Sequence, residues 1–149
     1  MNVANQLSAL PAAQRRVLVV DDDSDIRLSL LTLLSEEGYL VEEASDGRLA
    51  LRRLRASRDP HVVLLDLNMP GMDGKALLRA IADDPFDDPL DALSARHAFI
   101  LVTATDQRTL PLDVAALLTR LHVTVIAKPF DITDLLAAVA AAAARLPAR

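Results

Sequence analysis

Cysteine is absent from the sequence, which excludes disulfides, thiolate metal ligands and a thiol nucleophile. That absence suits a reducing compartment, and the cytoplasm is the expected location. Also missing is any apolar run near the ~20 residues that cross a bilayer. The longest candidate, the alanine-rich stretch from Leu135 to Ala144, follows an ordinary helix start. Met1 to Gln14 includes Asn, Gln and Pro11 and lacks the charged start and apolar centre of a secretory signal. No membrane partner is therefore expected. Positive charge is scarce, with 16 Lys and Arg against 21 Asp and Glu and a net charge of -5. Gripping a phosphate backbone needs clustered cations, so nucleic acid is not an expected direct partner. The four glycines, Gly38, Gly47, Gly71 and Gly74, form no phosphate-cradling loop, which argues against a nucleotide-binding enzyme.

What is present is a chain of 149 residues, 52% of them hydrophobic, enough for one domain with a sizeable core and too short for a second full one. Five short apolar runs read as strands: Val17 to Val20, Tyr39 to Val41, Val62 to Leu65, Phe99 to Val102 and Val123 to Ile126. Several are continuously apolar, as a parallel sheet covered on both faces requires. Between them lie helical patterns. The first spans Asp25 to Glu37, with Ser24 placed to cap it, Ile26, Leu30, Leu33 and Leu34 on one face, and Gly38 as its stop. Asp46 to Ala56, Gly74 to Ala82 and Pro111 to Leu121 follow, and the last helix starts at Asp131. Strand then helix, five times over, predicts an α/β fold with a doubly wound five-stranded parallel sheet and five helices. Such sheets bind ligands beyond the carboxyl ends of their strands.

Those ends are polar. The first strand finishes in Asp21-Asp22-Asp23, the third in Asp66, the fourth in Thr103 and the fifth in Lys128. Packing gives a covered sheet no reason to end in carboxylates, and like charges within a few ångströms repel unless a cation lies between them. Hard oxygen ligands with positions open to water and phosphate suit Mg²⁺, with Mn²⁺ able to substitute. The plainer reading of Asp21 to Asp23 is helix capping. Asp66 is harder to explain structurally, since it ends the run His61-Val62-Val63-Leu64-Leu65 and precedes a turn through Asn68-Met69-Pro70-Gly71. Its carboxylate could attack phosphorus where a metal and a cation neutralise the transferring oxygens. A Thr103 hydroxyl can donate to a phosphoryl oxygen and a Lys128 ammonium can pair with others. Lys75 and Lys128 are the only lysines. Pro129 restricts the backbone of Lys128 and admits a cis Lys-Pro bond.

With these residues in place, the chain resembles response-regulator receiver domains of two-component phosphorelay systems, over nearly its whole length. The motifs are VLVVDDDSDIR at 17–27, VVLLDLNMPGMDG at 62–74, LVTA at 101–104 and AKPF at 127–130. The resemblance implies a flavodoxin-like sheet of order 2-1-3-4-5, a receiver domain over 16–146, a short tail over 1–15 and no separate output domain. It makes Asp66 the phosphoacceptor and Asp21, Asp22, Asp66 and the Asn68 carbonyl the metal set. It places Thr103, Ala104 and Lys128 against the phosphoryl group. The donor would be a sensor histidine kinase or a histidine phosphotransfer protein. Output would pass to a downstream partner through the surface of the fourth helix, fifth strand and fifth helix. The chain would be no enzyme beyond its own phosphorylation and dephosphorylation.

Three features depart from the pattern. In the switch pair of Thr103 and Val125, valine stands where the family has an aromatic residue; it is either a stiff substitute or simple core filling. The acidic, proline-bearing stretch from Ala82 to Asp91 is longer than the family's connection and reads as a spacer, with partner docking through Phe86 and Leu90 as the alternative. The alanine-rich last helix offers a homodimer face or mere helix propensity. Other functions compete: a receiver cut from a larger regulator or hybrid kinase, a degenerate receiver that only binds, and a haloacid-dehalogenase-type phosphohydrolase. The last needs a second acid two residues after the nucleophile, where this chain has Asn68, which cannot act as a general acid.

Overall fold

The computed structural model describes residues 15–84 and 92–147. The tail reading and the Phe86 and Leu90 docking alternative lie outside the described residues. The elements run β1 (Arg16–Val20), α1 (Ser24–Glu36), β2 (Leu40–Ala44), α2 (Gly47–Ala56), β3 (His61–Asp66), α3 (Gly74–Ala82), α4 (Leu93–Arg96), β4 (Ala98–Thr103), α5 (Leu112–Arg120), β5 (Thr124–Ala127) and α6 (Ile132–Ala144). A 3-10 turn, Gln107–Thr109, precedes α5. The strands form one parallel sheet of order β2-β1-β3-β4-β5, the flavodoxin-like order.

Alternation along each strand divides the core in two. Leu18, Val20, Val63, Leu65 and Leu101 point to one face, where Leu54 of α2, Leu77 and Ile81 of α3, and Val114 and Leu118 of α5 cover them. Val17, Val19, Val62, Leu64, Ile100 and Val102 point to the other, under Leu30 and Leu34 of α1 and Leu135 and Val139 of α6. Each such side chain contributes roughly 1.5–3 kcal/mol on leaving water, so both faces hold the sheet and its strand ends in register.

The described residues contain six helices rather than five. The addition, α4, is a single turn whose Leu93 is fully buried in the core on the α3 side of the sheet, too short to leave a periodic signal. Strand β2 runs on to Ala44 instead of stopping at Val41, because Glu42 and Glu43 occupy strand positions and Glu42 is neutralised there by Arg16. Asp23, not Ser24, caps α1, accepting from the backbone N–H of Asp25 and Ile26. Gly38 ends α1 in the left-handed region at φ 94°, as its place after the helix predicts. No helix among the described residues is long and apolar enough to cross a membrane.

Candidate functional site

The strand order reverses between β1 and β3, and the polar residues converge beyond that point. β1 delivers Asp21, which is 4% exposed, and the solvent-facing Asp22. β3 delivers Asp66. Each of the three offers a carboxylate oxygen, and these oxygens lie within 4.8 Å of one another. Across from them, the Lys128 ammonium stands 3.6 Å from both the Asp21 and the Asp66 carboxylates. These are ion-pair distances, too long for good hydrogen bonds.

The capping question for the acid run is resolved residue by residue. Asp23 spends its carboxylate on the N-terminus of α1. Asp21 turns one oxygen to the Asp23 N–H at 2.9 Å and the other to Lys128. The Asp22 side chain makes no hydrogen bond among the described residues and is open to a ligand. Three clustered carboxylates, of which Asp21 and Asp66 pair with Lys128, leave an excess of negative charge that a dication would relieve, and their oxygen donors are of the type a hard cation takes. The acidic cluster is thus compatible with a metal site.

Burial pushes the Asp66 carboxyl above the usual carboxylate range. Lys128 draws it back down, Asp21 and Asp22 add to the rise, and the Asn68 N–H lowers it. The Asn68 N–H reaches Asp66 at 3.4 Å, while its side-chain amide donates to the Thr105 hydroxyl at the same distance. The turn bearing Asn68 folds back tightly. The Gly74 N–H donates to the Leu67 carbonyl at 2.9 Å, and a Cβ on Gly74 would stand 2.5 Å from the Asp66 carbonyl oxygen.

Thr103 is fully buried at the end of β4, and its hydroxyl accepts from the Thr105 N–H at 3.1 Å. Its carbonyl accepts the Lys128 N–H at 2.8 Å, tying the two strand ends together. Ala104 follows, exposed at the rim. The Lys128–Pro129 peptide is cis. Val125 is not at the acid cluster. It pairs with Leu101 two positions below the Thr103–Ala127 pair, half-buried on the face covered by α5. Thr103 and Val125 therefore share a sheet face without sharing a site.

Two participants carried no usable sequence signal. Thr105 looks like any loop threonine until the fold brings Asn68 opposite. Arg27 lies within the quoted 17–27 motif, yet only the structure shows its guanidinium donating to the Asp21 carbonyl at 2.7 Å.

Residues 17–140 match the response regulator receiver domain family. The transcriptional regulatory protein PrrA of Mycobacterium tuberculosis is 38% identical over 126 residues, covering 85% of this chain and 48% of that protein. The response regulator MprA of Mycolicibacterium vanbaalenii is 38% identical over 122 residues, covering 82% and 47%. The chain thus spans about half the length of the curated relatives it matches. Among solved structures, a CheY-like receiver domain protein from Methanospirillum hungatei superposes with TM-score 0.72 at 30% identity, covering 88% of this chain and 95% of that one. The receiver domain of a signal transduction histidine kinase from Syntrophus aciditrophicus gives 0.68 at 26%, covering 87% and 90%.

Proposed function

The chain belongs to the response regulator receiver domain family, and from that premise we propose that Asp66 accepts a phosphoryl group from a phosphohistidine of a sensor kinase or phosphotransfer protein in the cytoplasm. The single observation that carries this reading is the meeting of Asp66 with Asp21, Asp22 and Lys128 beyond the sheet. In the transfer an Asp66 carboxylate oxygen bonds to phosphorus as the phosphorus–nitrogen bond of the donor breaks, leaving an acyl phosphate. Asp66 suits the task because its burial and its acidic neighbours disfavour the bare anion, so neutralising partners gain the most there. Bound Mg²⁺, or Mn²⁺ in its place, would neutralise the transferring oxygens, held by Asp21, Asp22, Asp66 and the Asn68 carbonyl. Lys128 supplies a compact positive charge to the arriving phosphoryl group. Thr103, once released from the Thr105 N–H, and the backbone at Ala104 can meet its remaining oxygens. The chain turns over no other substrate in this reading.

Output passes through the surface of α5, β5 and α6, the counterparts here of the family's fourth helix, fifth strand and fifth helix. A cleft of about 480 Å³ lies against α5, lined by Leu110, Ala115, Leu118, Thr119, His122 and Val123. Thr103 and Val125 share the sheet face behind it, so a movement of Thr103 is transmitted by packing rather than by an aromatic rotamer. A second reading takes the chain as the receiver part of a longer regulator, favoured by relatives about twice its matched length.

Incubation with Mg²⁺ and acetyl phosphate, followed by intact-mass measurement, tests the assignment. The wild type gains one phosphoryl group and Asp66→Ala gains none. An adduct on Asp66→Ala, or none on a Mg²⁺-binding wild type, overturns it.

A further inference from the structure

Arg27 is the fourth residue of α1, where the helix dipole opposes a cation, and it lies beside an acid cluster whose metal it would repel. Its side chain is nonetheless only 15% exposed. One guanidinium nitrogen, Nη1, donates to the Asp21 carbonyl at 2.7 Å. Nε is buried without a hydrogen bond, with Glu43 at the end of β2 standing 3.5 Å away. The carbonyl that Arg27 grips belongs to the peptide joining Asp21 to Asp22. Asp21 is already held through its N–H to Ala44 and through its carboxylate to the Asp23 N–H. Its carbonyl is therefore the point at which the Asp21–Asp22 peptide is fixed, and rotation of that peptide would swing the otherwise unbonded Asp22 side chain.

We propose that Arg27 is a positioning residue: by holding the Asp21 carbonyl it fixes the Asp21–Asp22 peptide and so sets the direction in which the Asp22 carboxylate enters the metal site. The proposal rests on the metal-binding reading of the acid cluster. It also separates two physical effects of opposite sign. If Arg27 acts only as a charge, its removal lowers repulsion and divalent cations bind tighter. If it acts by positioning, its removal frees the peptide and they bind weaker.

Titration with Mn²⁺ alone, followed by water-proton relaxation, reads the sign. Arg27→Met, similar in length but without charge or donor, weakens Mn²⁺ binding by about tenfold, the loss expected of one charge-assisted hydrogen bond. Arg27→Lys keeps the charge and one donor without the fork, and weakens it by about threefold. Glu43→Gln, whose carboxylate is half in solvent, changes it less than about twofold. The Mn²⁺ concentration for half-maximal phosphoryl uptake from acetyl phosphate rises by the same factors. Unchanged or tighter binding in Arg27→Met overturns the proposal. Should that variant fail to fold, Arg27→Lys decides, with wild-type affinity counting against positioning. A wild type that binds no Mn²⁺ overturns the metal-site reading itself, an outcome distinct from equal binding by wild type and variants.

Discussion

The two edges of the sheet handle charge in opposite ways. At the amino-terminal edge, Arg16 pairs with Glu42 at 3.3 Å and with Asp59 at 3.1 Å. His61 sets its ring nitrogens 2.8 Å from the Asp59 carbonyl and 3.1 Å from the Glu42 carboxylate. His97 receives the His61 backbone N–H at 3.0 Å. Opposite charges there meet within the chain. At the carboxyl-terminal edge three carboxylates face a single ammonium, and burial and like charges lift Asp66 instead of settling it. An edge that compensates its own charges contributes stability, whereas one that leaves acids together is compatible with a bound cation.

The largest expected change attacks the tightness of the ligand edge. Gly74→Ala adds a Cβ that would sit 2.5 Å from the Asp66 carbonyl oxygen and 2.8 Å from the Leu67 Cα, both backbone. The turn bearing Asn68 must shift, at a cost of about 2 kcal/mol in urea unfolding despite alanine's better helix propensity. Mn²⁺ affinity falls with it. A more stable variant would mean that the close approach is not required.

The next change sharpens the contrast from the other edge. Burial, together with the His61 ring and Arg96, holds His97 down to about 3 from its ordinary value of 6.5. Between those values the unfolded chain binds a proton that the folded chain refuses, so stability is full above about pH 6.5 and falls as the solution is acidified towards pH 3. The contribution approaches about 1.4 kcal/mol per pH unit. Denaturation series at pH 7, 6 and 5 for the wild type and His97→Gln measure it. Parallel slopes would remove His97 from the account.

The smallest change carries the most distinctive sign. In metal-free buffer Asp22→Asn removes one of three crowded acids and raises stability by about 0.5 kcal/mol, modest because Asp22 is exposed. In saturating Mg²⁺ the order reverses, since the wild type alone gains the full binding free energy. Melting curves with and without Mg²⁺ check this, and an unchanged order would equate the two edges.

The sheet and the set of polar residues at its strand ends are legible from the order of residues alone. A run as short and β-branched as Val62 to Leu65, followed at once by an acid and a turn, reads as a strand covered on both faces, and the acids, Thr103 and Lys128 at the strand ends are visible in the order of residues alone. Gly38, too, was legible as a helix stop because its conformation is local. Strand β2 was only half visible, since a glutamate in a strand looks polar until Arg16 is set beside it. Single-turn α4 left no period to detect. Which acid of the run caps and which stays open, the reach of Arg27 to Asp21, and the separation of Val125 from the acid cluster were decided by tertiary structure alone. Each depends on where elements far apart in the chain meet, and side-chain direction at a meeting point is set by packing on both faces of the sheet, not by local propensity.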